Sequence, residues 1–314
     1  MLFAGTPSIF SFKYYILNNT VKKLKQWRIS AGNIILNNGT SETLCNEIVT
    51  HIENVKPISV HVPKHLKPIN DDQFGHYLAG LIDGGGHFNK QQLVIAFHSL
   101  DASLAYYIKK RIGYGSVNKV KDKNAFILVI AARKGIEKII KLINGKIRTE
   151  NKLDQINNNI LSHKNFFELN KTIDLRLNLS NDLKNHWLAG FTDAGGSFQI
   201  KILNRNNRVE VKLNFQIDQK TNNVLLLIKN NLGGNIGYRK SQYTYYYSST
   251  SFGSAKNVIN YFDYFHLLSS KHINYLKWRK AYIVIQNKEH LTKKGINKII
   301  KLKNTMNRLC ENTI

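Results

Sequence analysis

HYLAGLIDGGGHF (His76–Phe88) and HWLAGFTDAGGSF (His186–Phe198) are one phrase written twice, 110 residues apart. Ahead of the first copy, Asn70 followed three residues later by Gln73 has the form of a capping box, and Phe74, Tyr77, Leu78 and Leu81 keep helical spacing. The pattern predicts helices over Asp71–Asp83 and Asn181–Asp193. Each carries small residues: Ala79, Gly80 and Gly84 in the first, Ala189, Gly190 and Ala194 in the second. Small side chains let two helix backbones approach, so the two copies are expected to pack on each other as a domain interface. Two unrelated amphipathic helices capped by glycine would explain neither the matched small residues nor the matched elements that follow them.

Behind the second copy, Phe198, Ile200 and Ile202 alternate with Gln199 and Lys201. Asn206–Asn207 is expected to turn the chain into a strand that sets Val209, Val211, Leu213, Phe215 and Ile217 against Arg208, Glu210, Lys212, Asn214, Gln216 and Asp218. KTNNVLLLIKNNLGG then reads as a helix closed by glycine, IGYRKSQYTYYYSST as a hairpin and SAKNVINYFDYF as a helix. The first half repeats the order with QQLVIAFHSL, ASLAYYIKKRIGYG, SVNKVKDKNAFILVIA and GIEKIIKLINGK. The expected fold class is α+β, two pseudo-symmetric domains each running α-β-β-α-β-β-α. The segment VKPISVHVPKHLKPIN holds three of the four prolines and reads as an extended linker. The expected boundaries are an N-terminal extension and linker over 1–68, domains over 69–160 and 181–314, and an aperiodic linker over 161–180.

Lys and Arg outnumber Asp and Glu 46 to 20 in the 314 residues, a formal net charge of +26 that suits a partner rich in phosphate. No run of 18 apolar residues exists, which excludes a spanning helix on length. Cys45 and Cys310 form no C-x-x-C pair, so neither zinc nor a disulfide framework is indicated. The first 41 residues lack Asp and Glu and loosely match a transit peptide, although without its Arg-rich amphipathic pattern, so an ordinary basic extension fits them better. Abundant Asn, Lys, Ile, Tyr and Phe hint at an AT-rich, organellar genome.

LAGLIDGGG and LAGFTDAGG resemble the two signature helices of single-chain LAGLIDADG homing endonucleases and maturases, in particular the yeast mitochondrial members encoded within group I introns. The resemblance runs from about Asp71 to the C-terminus. It implies motif helices paired at the domain interface, two four-stranded saddle sheets for the DNA major groove, a mitochondrial location and a monomer with internal two-fold symmetry. The implied partners are double-stranded DNA, group I intron RNA or both, with no membrane. In the family an acid at the eighth motif position binds divalent metal at the scissile phosphates. Here that position is Gly85 in one motif and Gly195 in the other. Asp83 and Asp193 stand two residues earlier, about 200° around a helix, and are expected to serve the helix ends. No metal is therefore expected in the chain as it stands, and Mg²⁺ only if cleavage is retained or restored. With both acids gone, loss of metal stabilisation worth several kcal/mol cripples cleavage by orders of magnitude, at about 1.4 kcal/mol per tenfold.

Other positions match the family's active site. Gln219 and Asp101 match its water-organising positions in the two halves, and Lys146 and Lys271 its paired lysines. The outward faces of the second-half hairpins nominate Gln199, Lys201, Arg205, Arg208, Lys212, Asn214, Gln216, Tyr238, Lys240 and Gln242 for nucleic-acid contact, since Arg and Lys can read guanine and Gln or Asn adenine. Lys119, Lys121 and Lys123 are the first-half candidates, on strands of ambiguous register. An RNA maturase with cleavage lost leads this reading. An active homing endonuclease and a decayed one that only binds DNA remain the alternatives.

Overall fold

A computed structural model describes residues 56–205 and 208–306, which leaves the first 55 residues, both cysteines and the Asn206–Asn207 turn outside the described residues. The elements below lie in one compact unit, Ile58–Ile314. Helix α1 spans Asp71–Gly85. Its cap is the one the sequence spells out: Asn70 Oδ1 accepts from the Gln73 amide at 2.8 Å, and Gln73 Oε1 accepts from the Ile69 amide at 2.9 Å. The first half continues with β1 (Gly86–Asn89), β2 (Gln92–His98), α2 (Ala102–Ile112), β3 (Ser116–Lys119), β4 (Ala125–Ile130) and α3 (Arg133–Ile143). The short helices α4 (Glu150–Ile156) and α5 (Phe167–Thr172) follow. The stretch expected to be an aperiodic linker thus includes a helical segment.

The second half runs α6 (Trp187–Gly195), β5 (Gly196–Arg205), β6 (Arg208–Gln219), α7 (Asn223–Leu232), β7 (Asn235–Arg239), β8 (Thr244–Ser248) and α8 (Phe252–Tyr264). Two more helices, α9 (Lys271–Gln286) and α10 (Lys293–Thr305), extend the plan read from sequence. Each half holds one antiparallel four-stranded sheet, in the orders β1-β2-β4-β3 and β5-β6-β8-β7. The fold class is α+β, as the alternation in the sequence implies.

Helix α6 corrects the expectation of a helix from Asn181. Asp182 Oδ1 accepts from the Lys184 amide at 2.8 Å and Asn185 Oδ1 from the Trp187 amide at 2.9 Å, side-chain turns that keep the backbone out of helix until Trp187. Helix α1 runs two residues past its expected end, to Gly85.

The helices α1 and α6 cross where both backbones are bare. A methyl at Gly80 would overlap the Trp187 carbonyl oxygen and lie 2.9 Å from the Phe191 nitrogen. One at Gly190 would overlap the Tyr77 carbonyl and lie 2.9 Å from the Leu81 nitrogen. One turn on, a methyl at Gly84 would sit 2.7 Å from Ala194 Cβ. Only glycine permits such an approach. Ala79 and Ala189 are fully buried in the same helices.

The cores differ in chemistry. In the first half Ile136, Ile139, Ile140 and Ile143 form the buried stripe of α3 against Leu93, Ile95, Leu128 and Ile130 of the sheet. In the second half Phe198 lies 5.0–5.6 Å, ring to ring, from Phe215, Phe262, Tyr275 and Trp278. The proline-rich segment is extended and lies against the second half. Ile58 and Gln286 exchange two hydrogen bonds (2.8 and 3.0 Å), Arg279 donates to the His61 carbonyl, and Leu66 donates to His266 Nδ1 at 3.0 Å.

Candidate nucleic-acid interface and the feet of the paired helices

Asp83 and Asp193 hold the two halves together by exchange. Trp187 of α6 donates its indole N–H to Asp83 at 2.8 Å, while Tyr77 of α1 donates its hydroxyl to Asp193 at 2.6 Å. Each carboxylate also gathers a loop of its own half. Asp83 accepts from the Arg148 and Thr149 amides (2.9 and 3.3 Å) and the Thr149 hydroxyl; Asp193 accepts from the Leu268 and Ser269 amides (2.7 and 3.3 Å) and the Ser269 hydroxyl. Both are buried, at 5% and 7% exposure. Burial pushes the Asp83 carboxyl up to about 6 against the pull of its hydrogen bonds, and burial likewise raises Asp193.

Gly85 and Gly195 are the last residues of α1 and α6, and both are exposed. A Cβ on Gly85 would meet only Ala194 Cβ, at 3.3 Å, and one on Gly195 would meet nothing within 4 Å. An acid at either place is sterically allowed. A divalent cation shared with phosphate needs one or two carboxylates with free oxygens. Asp83 and Asp193, with all four oxygens taken by donors, offer none, and no group of three or more His, Cys, Asp or Glu converges among the described residues. The donor set therefore does not fit the family's metal.

The paired loops fix which residues correspond. Thr149 and Ser269 bind their aspartates alike and stand 120 residues apart, so Lys271 corresponds to Asn151. Lys271 lies at the foot of α6, where its ammonium donates to the Thr192 and Asp193 carbonyls at 3.0 and 2.9 Å, and burial lowers its pKa. Lys146 does not mirror it. Its ammonium pairs with Asp72 at 3.3 Å in the first turn of α1, about 20 Å from Gly85 along a helix of 1.5 Å rise. Besides Arg148, the cation coupled to Asp83 at the first foot is Lys152, whose pKa burial lowers and Asp83 raises in part. Its position one residue beyond Asn151 gives it no signal in the sequence.

Asp101 is buried beside Lys271, where its Oδ1 accepts from the Ser270 amide at 2.6 Å. It therefore bridges from the first half to the second half's foot. Register shows that it is not the counterpart of Gln219: Gly86 faces Ile95 and Gly196 faces Ile217, so the residue matching Gln219 is Phe97. Gln219 ends β6 opposite Tyr245.

The β5–β6 register puts Gln199 opposite Asn214, Lys201 opposite Lys212 and Ser197 opposite Gln216, so these residues share the face turned away from the core, and it pairs the backbones of Arg205 and Arg208. The side chains of Arg205 and Arg208 lie outside the described residues. Asn214 is only 2% exposed and donates to Gln199 and Gln216, both at 3.3 Å, so it orients its neighbours beneath the surface. Tyr238 is a correction: it faces Tyr245, next to the Ile236–Tyr247 pair, and so belongs to the helix-side face. Its neighbour Arg239 takes the outward place, paired with Asp218 at 2.9 Å and lying over the Tyr246 ring at 4.7 Å. Arg239 and Tyr246 escaped the sequence reading because a one-residue shift of register exchanges the faces. Lys240 and Gln242 form the exposed turn between β7 and β8. In the first half Lys119 ends β3 opposite Phe126, on the core-side face, and Lys121 and Lys123 lie in the β3–β4 turn.

Two paired motif helices, each followed by an antiparallel four-stranded sheet, define the class, and comparison with known proteins agrees. The profile of the LAGLIDADG endonuclease family matches residues 188–282. The chain is 64% identical over 313 residues to an uncharacterized cox1 intron-2 protein of 37.2 kDa from Schizosaccharomyces pombe, covering 96% of this chain and 95% of that one. It is 29% identical to the intron-encoded DNA endonuclease aI3 of Saccharomyces cerevisiae, over 70% of this chain and 65% of that protein. Among solved structures, the LAGLIDADG meganuclease I-AabMI bound to uncleaved DNA shares the fold with a TM-score of 0.61 at 24% identity, over 76% of this chain and 100% of that chain. This chain belongs to the LAGLIDADG endonuclease family. No helix among the described residues is long and apolar enough to cross a membrane.

Proposed function

We propose that this chain is a mitochondrial, intron-encoded RNA maturase that binds its group I intron and stabilises the folded RNA, acting as a monomer with cleavage lost. One observation carries the reading. Gly85 and Gly195 occupy the places of the two metal acids, and the remaining motif aspartates are spent on Trp187, Tyr77 and the two loops. Holding RNA needs phosphate contacts and shape, not metal carboxylates. The net charge of +26 supports such binding, and an origin within a mitochondrial intron would place protein and RNA together. A second reading, site-specific cleavage of the intronless allele, is favoured by the endonuclease names of several relatives. The deciding experiment incubates the purified chain with intron RNA and, separately, with intronless duplex DNA and Mg²⁺. Accelerated splicing without cleavage supports the maturase; robust cleavage without an effect on splicing overturns it.

A further inference from the structure

Where the first half closes in the short helices α4 and α5, the second closes in α9 and α10, sixteen and thirteen residues long. Between Lys271 and Met306 the sequence holds ten Lys and Arg against one acid, Glu289. Four of these cations are spent on the fold: Lys271 on the α6 carbonyls, Arg279 on Asp263 at 2.8 Å, Lys277 on the Thr305 carbonyl that ends α10, and Lys298 on Glu289 at 3.1 Å. The other six, Lys280, Lys288, Lys293, Lys294, Lys301 and Lys303, are exposed and form no ion pair among the described residues.

Helix stability does not call for these charges. Lys293 and Lys294 occupy the first turn of α10, against the positive end of its dipole, and Lys294 stands four residues before Lys298 as a like-charged pair. What secures α10 lies elsewhere: the Thr292 hydroxyl accepts from the Gly295 amide at 3.0 Å, a methyl at Gly295 would overlap the Glu289 carbonyl, and Ile299 is fully buried. Helix α9 lies on the core side of the second sheet, with Tyr275 and Trp278 against Phe198, and α10 packs on α9 and on the edge strand β5. The lysines therefore belong to the helical layer and not to the outward face of the sheet.

We propose that the exposed lysines of α9 and α10 form an RNA-binding surface that grips the phosphate backbone of the folded intron. The inference rests on the maturase reading and names the contact that reading requires. Lysine is a point charge that holds phosphate without reading bases, and folded RNA is recognised largely through its shape and backbone. From Lys293 to Lys303 the stripe runs about 15 Å at 1.5 Å per residue, long enough to meet several successive phosphates. An anionic membrane fits less well, because an interfacial helix needs a free apolar face and that of α10 is turned inward through Ile299 and Leu302.

The test replaces Lys293, Lys294, Lys301 and Lys303 together by Gln in the full chain, a change that nearly preserves helix propensity. Filter binding at several salt concentrations compares parent and variant on the intron RNA and on the intronless DNA duplex. RNA affinity should fall about tenfold or more and the log–log salt slope should shrink by roughly three, while DNA affinity stays within about threefold. Lys201→Gln with Lys212→Gln should do the reverse, and circular dichroism controls for folding in both variants. Unchanged RNA affinity in the fourfold variant would overturn the proposal, as would equal losses on RNA and DNA. So would lost binding to vesicles of phosphatidylcholine and cardiolipin with RNA binding kept. Splicing assays separate this surface from the reading it rests on. RNA binding that needs the four lysines but does not accelerate splicing refutes the maturase and keeps the surface; splicing equally accelerated by parent and variant does the opposite. A parent chain that binds no intron RNA overturns both.

Discussion

Replacing Asp193 by Asn and by Ala, and Asp83 likewise, separates acids that hold loops from acids that hold metal. The oxygens of Asp193 are unequally loaded: Oδ2 accepts from the Tyr77 hydroxyl at 2.6 Å and the Leu268 and Ser269 amides at 2.7 and 3.3 Å, and Oδ1 only from the Ser269 hydroxyl. An asparagine can keep its oxygen at the crowded place and turn its amide to Ser269, whose hydroxyl then accepts. No backbone N–H is orphaned and only the rotatable Ser269 hydroxyl hydrogen loses its acceptor, so Asp193→Asn should cost about 1 kcal/mol. At Asp83 each oxygen takes two donors, Thr149 amide and hydroxyl on one, Arg148 amide and Trp187 indole on the other. Whichever way an asparagine turns, at least one backbone N–H faces its amide, so Asp83→Asn should cost about 1–3 kcal/mol. Alanine at either place strands several buried donors and should cost about 3 kcal/mol or more, a large part of the stability of an ordinary domain. Urea unfolding of the full chain, followed by tryptophan fluorescence, measures all four variants as midpoint shifts. The reasoning fails if Asp193→Asn is as damaging as Asp193→Ala, or if both alanine variants stay within about 1 kcal/mol of the parent.

Gly80→Ala should destabilise by about 1–3 kcal/mol or more because the new methyl overlaps the Trp187 carbonyl, while Gly195→Ala, whose methyl meets nothing, should be neutral; thermal unfolding compares them. The Asp83 carboxyl, raised from 3.8 to about 6, contributes stability that is present below pH 3.8 and lost as pH rises through 6, roughly 3 kcal/mol in total, and this slope should vanish in Asp83→Asn. His186 and His272, held down to about 4 by burial, act in the opposite sense: their contribution is present above 6.5 and lost as pH falls through 4, and it should persist in that variant. Gly85→Asp with Gly195→Asp should make Mg²⁺-dependent cleavage appear on the intronless duplex, with either change alone giving nicks at most; an inert double variant would show that more than the acids has been lost. Binding to nucleic acid should weaken steeply between 50 and 200 mM salt, about 10³-fold or more if six or more phosphates are engaged, and a flat profile in a filter-binding assay would contradict the basic interface.

Much of the fold was legible because its signals are local. The capping box at Asn70, the glycines on the motif helices and the strict alternation from Phe198 to Ile217 each fix geometry within a few residues, and the duplication let each half check the other. What was not legible depends on how distant segments meet. Lys146 stands in a context like that of Lys271, but the chain needs three further residues to reach the loop on Asp83, and the lysine is left at the far end of α1. Asp101 ends a run resembling the one that ends in Gln219, yet a 3₁₀ turn over Ser99–Asp101 carries it off the strand and under Ser270. Tyr238 and Arg239 exchanged faces because β7 follows Gly233–Gly234, where no alternation precedes it to set the register.

Those failures share a physical cause. A duplicated domain is bound to its partner only where the two copies touch, and here they touch through Gly80 and Gly190, Trp187 and Asp83, Tyr77 and Asp193. Residues in that seam cannot change singly without a buried clash or an orphaned donor, so both copies keep them. Everything at the sheet end is free of that constraint: a shorter β1, an Asn151 for a Lys271 and a Phe97 for a Gln219 leave the seam untouched. Gly85 and Gly195 lie just past the boundary, exposed and without contacts that hold them, so an acid there is retained only by the chemistry it performs. On the proposed maturase reading, glycine in both places with the seam intact beside it is the pattern expected when selection acts on folding and binding and not on cutting.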